Sequence, residues 1–411
     1  MLASHRSDPP RGSDSSGSEP VRVLHLTPEF PPVIWGGLGT AVGGLVAALA
    51  RTRVEVGVLL VGGTLVLGGP RRYGRGTVGR GLLAPAGSAR GVVRSDGVLF
   101  FHVAPDNAVD RGADLAEEWQ PHILHLHSAW LWPVAQVIQA RTGAPMVFTV
   151  HSLDRAEYEI GELPTDWIAQ EEAMAGASRI IAVSSSESAL ICRYCPAVAG
   201  RVRVVGNGIA DSRQARQAVG NPCPEPDPLV LYSGRFVARK GIEGLLATIP
   251  KILDRTPKVQ FVLVGGYGGG PEIEQEWLKE SLTPYKEQIR FTGWLLPDEV
   301  NAWYRRADVL VVPSWYEPFG MVILEGMLHG LAIAASAVGG PAEILEHDLT
   351  ALLFPPRDVE ALSRCLLRLV LDPDLRIRLG EAAAAEVRRR WLWPQQAARM
   401  EGVYREVLPS R

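Results

Sequence analysis

Two glutamates eight positions apart, Glu317 and Glu325, are the side chains of this sequence with the clearest chemical meaning. They flank a proline- and glycine-containing turn that follows the apolar run 308–313, which is predicted to be a buried parallel strand. One carboxylate is therefore expected in a strand-to-helix loop, and the other about one turn into a helix at 321–328. Carboxylates suit sugar and ribose hydroxyls, and the free backbone N–H groups of a helix start favour an anion such as a diphosphate. The combination predicts a site for a nucleotide sugar.

A basic pair, Arg235 and Lys240, follows the first strand predicted for the C-terminal half. Arginine offers a planar fork to phosphate oxygens and lysine offers a point charge, so the two together are able to neutralise a diphosphate. The alternative is a solvated basic loop at the start of a helix. We favour a ligand, because positive charge near a helix N-terminus opposes the helix dipole and a bound anion would explain it.

The N-terminal half contributes a glycine turn and a histidine. Gly36 and Gly37 follow the first predicted strand, where they permit either close approach of the backbone to a phosphate or simply a tight strand-to-helix loop. His151 closes a predicted strand, so its imidazole is placed to donate a hydrogen bond to a substrate hydroxyl or to stabilise a charged intermediate. His125 and His127 compete for that role, and a purely structural histidine is the plain alternative.

The elements that must position these side chains alternate between short β-branched runs and longer helix-compatible stretches. Such alternation is typical of α/β proteins in which crossover helices cover parallel sheets. The predicted strands fall into two series, 21–26, 54–60, 98–103, 123–127, 146–150, 179–183 and 202–205, then 229–232, 259–264, 289–291, 308–312, 332–335 and 351–353. Ligands of such sheets bind beyond the carboxyl ends of the strands, so two facing domains would form a cleft.

The predicted fold class is therefore α/β, with two doubly wound, Rossmann-like domains facing each other across a cleft. Four prolines between residues 221 and 228 predict a stiff linker, because proline joins neither a helix nor a central strand. The predicted divisions are a disordered leader at 1–20, a first domain at 21–218, a proline-rich linker at 219–228, a second domain at 229–388 and a C-terminal helix at 389–411. Whether that helix crosses back to the first domain is left open by the sequence.

Bulk composition excludes several classes of protein. A length of 411 residues suggests two domains, and a formal net charge of −3 argues against general nucleic-acid binding. The uncharged run 56–70 is shorter than the roughly 20 residues of a spanning helix, so no transmembrane segment is predicted. Peripheral contact with a membrane and the oligomeric state are left open. The four cysteines, and a leader without an apolar segment, predict a cytoplasmic protein.

Taken in order, these segments resemble the retaining glycosyltransferases of the GT-B fold, in the large family 4 type that includes bacterial glycogen and sucrose-type synthases and lipid mannosyltransferases. The motifs that carry the resemblance are Ser233-Gly234-Arg235 with Lys240-Gly241, Val264-Gly265, Phe291-Thr292-Gly293, Glu317-Pro318-Phe319-Gly320 with Glu325-Gly326-Met327, and Gly339-Gly340. The N-terminal Pro31-Pro32 with Gly36-Gly37-Leu38 looks most like the glycogen-synthase-like branch.

The resemblance implies a hexosyltransferase that moves a hexose from a nucleoside-diphosphate sugar to a hydroxyl acceptor, with retention and without a metal or other cofactor. The acceptor would be a glucan, a glycoside or a small molecule. The first domain would face the acceptor and the second would bind the nucleotide sugar. The implied catalytic residues are His151 beside the anomeric centre, Arg235 and Lys240 on the diphosphate, and Glu317 on the donor sugar. The implied donor-binding residues are Gly36, Gly37, Gly293, Phe319, Gly320, Met321 and Val322, with Glu325 on the ribose.

Two other functions stay open at this point: a nucleotide-sugar epimerase of the same fold, and a non-catalytic sugar-nucleotide-binding protein. The complete set of site residues argues against the second. Gly326 stands where the family commonly has alanine, and His329 lies in a run that departs from the family pattern and is placed to touch the nucleotide side. Five aromatic residues of the N-terminal half are expected either to stack on an acceptor sugar or to fill the core, namely Trp35, Trp130, Trp132, Tyr158 and Trp167.

Overall fold

The structure is a computed structural model, and it describes residues 19–31, 36–62, 92–161, 167–211, 228–266 and 280–409. The predicted leader, apart from its last two residues, lies outside these ranges. The same holds for the predicted linker, apart from Pro228, and for Trp35.

Within the described residues of the N-terminal half, the strands form an eight-stranded sheet in the order β3-β4-β2-β1-β5-β6-β7-β8. Its strands are β1 (Val21–Thr27), β2 (Val54–Val61), β3 (Val92–Ser95), β4 (Val98–Val103), β5 (Ile123–Leu126), β6 (Met146–Val150), β7 (Arg179–Ala182) and β8 (Val202–Val204). Its helices are α1 (Gly37–Leu49), α2 (Ala108–Trp119), α3 (Trp132–Thr142), α4 (Asp154–Glu159), α5 (Trp167–Gly176) and α6 (Ser185–Tyr194). Every strand pair is parallel except β3 with β4.

That antiparallel edge is a local exception in a sheet that was predicted from the alternating pattern as parallel. The turn between β3 and β4 is Asp96-Gly97, and both residues have positive φ, 48° and 82°. Two consecutive residues with positive φ make the type I′ turn that matches the twist of a hairpin. The Asp-Gly pair was therefore the sequence signal for a hairpin that the strand prediction missed.

In the C-terminal half, the strands that the structure describes form a six-stranded parallel sheet in the order β11-β10-β9-β12-β13-β14. Its strands are β9 (Leu229–Ser233), β10 (Gln260–Val264), β11 (Ile289–Gly293), β12 (Val309–Val312), β13 (Ala332–Ser336) and β14 (Leu352–Phe354). Its helices are α7 (Ile242–Leu253), α8 (Pro297–Arg306), α9 (Met321–Leu328), α10 (Gly339–Ile344), α11 (Val359–Leu371) and α12 (Pro373–Arg390), and α13 (Trp393–Val407) follows. The predicted α/β class with two doubly wound domains is confirmed.

Helix α13 leaves the second domain and packs on the first. A Cβ atom added to Gly44 of α1 would lie 2.0 Å from Trp393 Nε1, so the indole fills the space that this glycine leaves. Glu406 forms ion pairs of 2.9 Å with both Arg179 and Arg203 of the first domain.

The boundary expected after residue 388 falls inside α12, and the actual break is at Trp391-Leu392. The three arginines 388–390 lie in the last turn of α12, where positive charge suits the helix dipole, and Pro394 lies in the first turn of the next helix. In the described part of the chain, no helix combines the length and apolar character needed to cross a bilayer.

Candidate functional site

Lys240 and Glu317 form a buried ion pair between two loops at the carboxyl edge of the second sheet. Lys240 Nζ donates to Glu317 Oε2 over 2.6 Å, and Ser314 Oγ donates to the same oxygen over 3.1 Å. Burial alone would raise the pKa of Glu317, but the charge and hydrogen bond of Lys240, together with the Arg239 charge and the Ser314 hydrogen bond, bring the pKa below its ordinary value. Burial also lowers the pKa of Lys240, and the negative charge of Glu317 acts against that shift. The ion pair therefore places one group of each charge at this edge of the sheet.

Arg235 lies on the same loop as Lys240, directly after β9. Its side chain is exposed, whereas its backbone is fixed because the Tyr232 hydroxyl donates to the Arg235 carbonyl oxygen over 2.9 Å. The loop also joins the neighbouring strand, since Gly234 N donates to the carbonyl oxygen of Val264 over 3.0 Å. The guanidinium therefore extends from a backbone that these hydrogen bonds hold in place.

Two helix starts from different domains meet beside the ion pair. Helix α1 begins at Gly37 and α9 begins at Met321, and a Cβ atom added to Gly37 would lie 3.8 Å from Met321 Cγ. Neither helix has an acidic residue in its first turn or a side-chain cap on its N–H groups. Both helix dipoles and both sets of backbone donors therefore favour an anion at the place where the two helix starts face each other. We call this place, between Gly37 and Met321, the gap between α1 and α9.

The loop that holds Glu317 is packed against a pair of glycines at the start of α10. Gly340 N donates to the Glu317 carbonyl oxygen over 3.0 Å. A Cβ atom added to Gly340 would lie only 2.0 Å from the Phe319 carbonyl oxygen, and one added to Gly339 would lie 2.2 Å from that of Glu317. The two glycines therefore set the position of the loop by allowing this close approach.

Gly340→Ala is accordingly expected to displace the loop and to destabilise the protein by roughly 1–3 kcal/mol, the range for inserting a methyl group into a packed interior. Thermal unfolding measures the loss. The matched control is Gly402→Ala in α13, where an added Cβ meets nothing within 4 Å among the described residues. That change should stabilise the helix slightly, because alanine is the better helix former. Equal melting temperatures for the two variants would contradict this account of the loop.

Glu325 lies on the second turn of α9 and is partly exposed. Burial raises the pKa of its carboxyl to about 7, and a hydrogen bond with Tyr304 acts against that shift. His329 Nδ1 donates to the Glu325 carbonyl oxygen over 2.8 Å, and its ring stacks on Tyr304 with centroids 5.5 Å apart. His329 is therefore buried against Glu325 and Tyr304, and these packing contacts explain why a histidine stands at this position.

The departure at Gly326 also has a packing reason. A Cβ atom added there would lie 2.5 Å from Leu310 Cδ2 on β12, so the helix can approach its strand only without a side chain at this position.

The other residues assigned to the donor lie around the same edge. Gly293 ends β11 with a positive φ of 66°, and its carbonyl oxygen accepts from Gly265 N over 3.0 Å. The Phe319 ring packs edge-on against Trp391, with centroids 5.6 Å apart, so only its backbone is left for a ligand. Gly36 is exposed at the start of α1, Gly320 precedes α9 with a φ of 100°, and Val322 is partly buried in its first turn.

His151 follows β6 and is partly exposed at the cleft edge, whereas its competitors His125 and His127 are buried. Burial lowers the pKa of His151 to about 4, so its imidazole is neutral at ordinary pH. His125 is engaged with the Tyr404 hydroxyl and with Thr149 Oγ1, each over 2.7 Å. Of the three histidines, His151 is therefore the one that a ligand in the cleft can reach.

Contacts between the domains arise from residues next to those already named. The Tyr316 hydroxyl donates to Glu187 Oε1 over 2.7 Å and accepts from Leu153 N over 3.0 Å. The guanidinium of Arg239 forms an ion pair with Glu157, in which Nη2 lies 3.3 Å from Oε1. Sequence reasoning missed these residues, because their partners are distant in the chain and no local motif marks them.

A carboxylate also bridges the domains at a helix start. Glu343 of α10 accepts hydrogen bonds from Ser185 N over 2.9 Å and from Ser186 N over 2.7 Å. These are the first backbone donors of α6, so a residue of the second domain caps a helix of the first. Of the aromatic residues considered for the acceptor, Trp132 is buried in the core, while Trp130, Tyr158 and Trp167 are exposed.

Residues 227–372 match the family model described as glycosyl transferases group 1, and residues 35–213 match the model described as glycosyltransferase family 4. The chain is 30% identical over 416 residues to alpha-maltose-1-phosphate synthase of Mycolicibacterium smegmatis, an alignment that covers 94% of this chain and 100% of that protein.

Solved structures share the fold. Sucrose-phosphate synthase from Thermosynechococcus elongatus has a TM-score of 0.72 at 23% identity, and the match covers 94% of this chain and 98% of that one. Anabaena HepE in complex with UDP and glucose has a TM-score of 0.69 at 17% identity, over 93% of this chain and 99% of that one.

Proposed function

We propose, because this chain belongs to the family 4 glycosyltransferases of the GT-B fold, that it transfers a hexose from a nucleoside-diphosphate sugar to a hydroxyl acceptor with retention of anomeric configuration. The observation that carries the proposal is the gap between the starts of α1 and α9, with Glu317 and Lys240 beside it. Such a gap suits a diphosphate. HepE, a structural neighbour, holds UDP and glucose, which supports a donor of this class.

In this reaction the bond between the anomeric carbon and the diphosphate breaks, and the electron pair leaves with the diphosphate. The acceptor oxygen bonds the anomeric carbon on the same face, and the acceptor proton passes to the departing diphosphate. Arg235, Lys240 and the two helix starts would stabilise the charge that develops on the leaving group. These groups supply the positive charge, and we therefore propose that the transfer requires neither a metal nor another cofactor.

The two glutamates would orient the donor. Glu317, held ionised by its ion pair, would accept hydrogen bonds from hydroxyls of the donor sugar. Glu325 would accept them from the ribose. His151, neutral at ordinary pH, would contribute a hydrogen bond near the anomeric centre. The exposed aromatic residues Trp130 and Trp167 favour a carbohydrate or glycoside as the acceptor, because an aromatic face packs well against a sugar ring.

The donor should bind more weakly at low pH because of Glu325. Its carboxyl has a pKa of about 7, so below that pH the group is protonated and loses acceptor capacity toward the ribose hydroxyls. We expect the donor KM to fall as pH rises through 7. Glu325→Gln should raise KM and abolish this pH dependence. Steady-state kinetics at saturating acceptor measure both, and a pH dependence that persists in the Gln variant would contradict the assignment.

The function itself is tested in two steps. Thermal shift against a panel of nucleotide sugars identifies the donor, because a ligand of the folded state stabilises it by mass action. The preferred donor is then incubated alone and with glucans, glycosides and small hydroxyl acceptors, and NMR reports the anomeric configuration of the product. A retained glycoside formed only with acceptor is expected. An epimerised sugar from donor alone, or an inverted product, would overturn the proposal.

We also propose a cytoplasmic location. The three cysteines among the described residues, Cys192, Cys195 and Cys365, are free thiols, which suits a reducing compartment.

A further inference from the structure

Four histidines lie together on one face of the first sheet, near the carboxyl ends of its strands. His25 on β1 is opposite His125 on β5 in the parallel register, His127 follows β5, and His151 follows β6. The first three are buried, and His151 is partly exposed at the cleft edge. A polar layer of this kind inside an apolar core needs a reason, because each buried imidazole must satisfy its hydrogen bonds.

Three of the rings form a chain that leads from the interior to the cleft. His25 Nδ1 lies 3.0 Å from His127 Nε2, and His127 Nδ1 lies 3.2 Å from His151 Nε2. The tilted ring of His125 lies against that of His127, with centroids 4.1 Å apart, but His125 is not part of this chain, since both of its nitrogens are engaged elsewhere, with Tyr404 and Thr149.

Each ring of the chain is neutral at ordinary pH. Burial lowers the pKa of His25 to about 3 and that of His151 to about 4, and burial likewise holds the pKa of His127 well below its usual value. A neutral imidazole carries one N–H and one acceptor nitrogen. His127 must therefore donate a hydrogen bond to one neighbouring ring and accept one from the other. The chain of three rings then has only two polarities: the N–H groups point either inward, from His151 toward His25, or outward, from His25 toward His151.

The far end of the chain decides between these polarities. Among the described residues, His25 Nε2 is buried and has no hydrogen-bond partner. If the chain ran inward from His151, this nitrogen would carry a buried N–H without an acceptor. If it runs outward from His25, the same nitrogen carries only an unused lone pair. Orphaned buried donors are the rarer and costlier case, so the outward polarity is favoured.

We propose that His25 and His127 are positioning residues that fix the proton of His151 on Nδ1, so that His151 meets the substrate as a hydrogen-bond donor. Because Nε2 of His151 accepts the hydrogen bond from His127 Nδ1–H, the ring has no free basic nitrogen. His151 therefore donates to a sugar or phosphate oxygen and does not remove a proton from the acceptor. The substrate part of this inference rests on the proposed function, whereas the tautomer does not.

A metal site is the competing explanation, since nitrogens of His25, His125 and His127 lie within 4.8 Å of one another. The hydrogen bonds favour the chain. Of the six nitrogens in these rings, His25 Nε2 is the one without a partner in the described structure, so a metal ion bound by all three would have to displace existing bonds.

The direct test is NMR of the full chain labelled with ¹⁵N-histidine, in which protonated and unprotonated ring nitrogens give separate signals. His151 is assigned by the signals lost in His151→Gln. We expect His25, His127 and His151 each to be protonated on Nδ1. A proton on Nε2 of His151 would overturn the proposal, as would Zn²⁺ bound stoichiometrically with loss of the His25 and His127 signals. This measurement needs no catalysis, so it stands even if the proposed function fails.

Variants then connect the tautomer to activity. His25→Phe keeps the ring shape but removes the donor to His127, and we expect mixed tautomers at His151 with a loss of about tenfold in kcat/KM, less than the roughly 10²–10³ for complete removal of such a donor. His25→Asn, whose amide offers an N–H near the place of Nδ1, should restore both. His125→Phe is the matched control within the same layer. A purely packing role predicts that the Phe variants behave alike, and that result would overturn the proposal.

Discussion

Lys240→Ala is expected to lower kcat by about 10²–10³, the typical cost of removing one group that stabilises developing charge in a transition state. Lys240 is held in place by Glu317, which in turn accepts a hydrogen bond from Ser314, so in the proposed reaction Lys240 would stabilise the departing diphosphate without reorganisation. Steady-state kinetics of hexose transfer, with donor and acceptor at saturation, measure the effect. Full activity in Lys240→Ala and also in Arg235→Ala would show that neither residue stabilises the leaving group.

The same substitution should also destabilise the fold, because it leaves the Glu317 carboxylate buried without its partner. Breaking a buried pair in this way costs about 3–5 kcal/mol. The pKa of Glu317 is lowered by that partner, so the stability from the pair is present above the unfolded pKa and is lost as pH falls through the folded one.

The double variant Lys240→Met with Glu317→Gln separates the loss of kcat from the loss of stability. It should recover the melting temperature because no buried charge is left unpaired, while kcat stays low. Lys251→Ala is the matched control, since its partner Glu360 and Lys251 itself are both exposed, and such a pair is worth about 0–1 kcal/mol. A double variant as unstable as Lys240→Ala would mean that the ion pair does not explain the destabilisation.

Gly37→Val should lower kcat/KM for the donor by on the order of 10²-fold, about 2.7 kcal/mol of transition-state binding. The added side chain would project into the gap between α1 and α9, where the diphosphate is proposed to lie. Among the described residues its Cβ would meet only Met321 Cγ at 3.8 Å, an ordinary contact, so the folded protein should tolerate it.

A graded series makes this prediction specific. Gly37→Ala should lower kcat/KM for the donor by less than Gly37→Val does. Gly200→Val is the matched control, because an added Cβ there meets none of the described residues within 4 Å and Gly200 precedes β8, at the amino ends of the strands and away from the cleft. Donor affinity is measured by calorimetry with UDP and ADP, and melting temperature monitors the fold. Unchanged affinity in Gly37→Val would remove the gap from the donor site.

Much of the second domain was predictable from local sequence. The turn and helix between the two glutamates follow from an apolar run, a Pro-x-Gly turn and strong helix formers, and α9 has the predicted bounds, Met321–Leu328. The ion pair of Lys240 with Glu317 was not predictable in this way. The two residues belong to separate strand-loop-helix units, and only the sheet order that places β9 beside β12 brings their loops together.

Other features left weaker signals or none. His25 stands between two leucines in a strand and carries no local sign of a partner, so its partnership with His127 emerges only from the register of neighbouring strands. The contact of Tyr316 with Glu187 spans the two domains and depends on their relative position, which no local pattern encodes.

Both residues of the ion pair in the cleft have a chain neighbour that joins the two domains. Lys240 is next to Arg239, which pairs with Glu157, and Glu317 is next to Tyr316, which hydrogen-bonds Glu187. Separating the domains would therefore displace the same short loops that carry the proposed donor-binding groups. The site is then complete only in the associated state, and the apparent dissociation constant of the donor equals its intrinsic value divided by the fraction of molecules in that state. Substitutions at Glu157 or Glu187 would thus weaken donor binding without touching the donor.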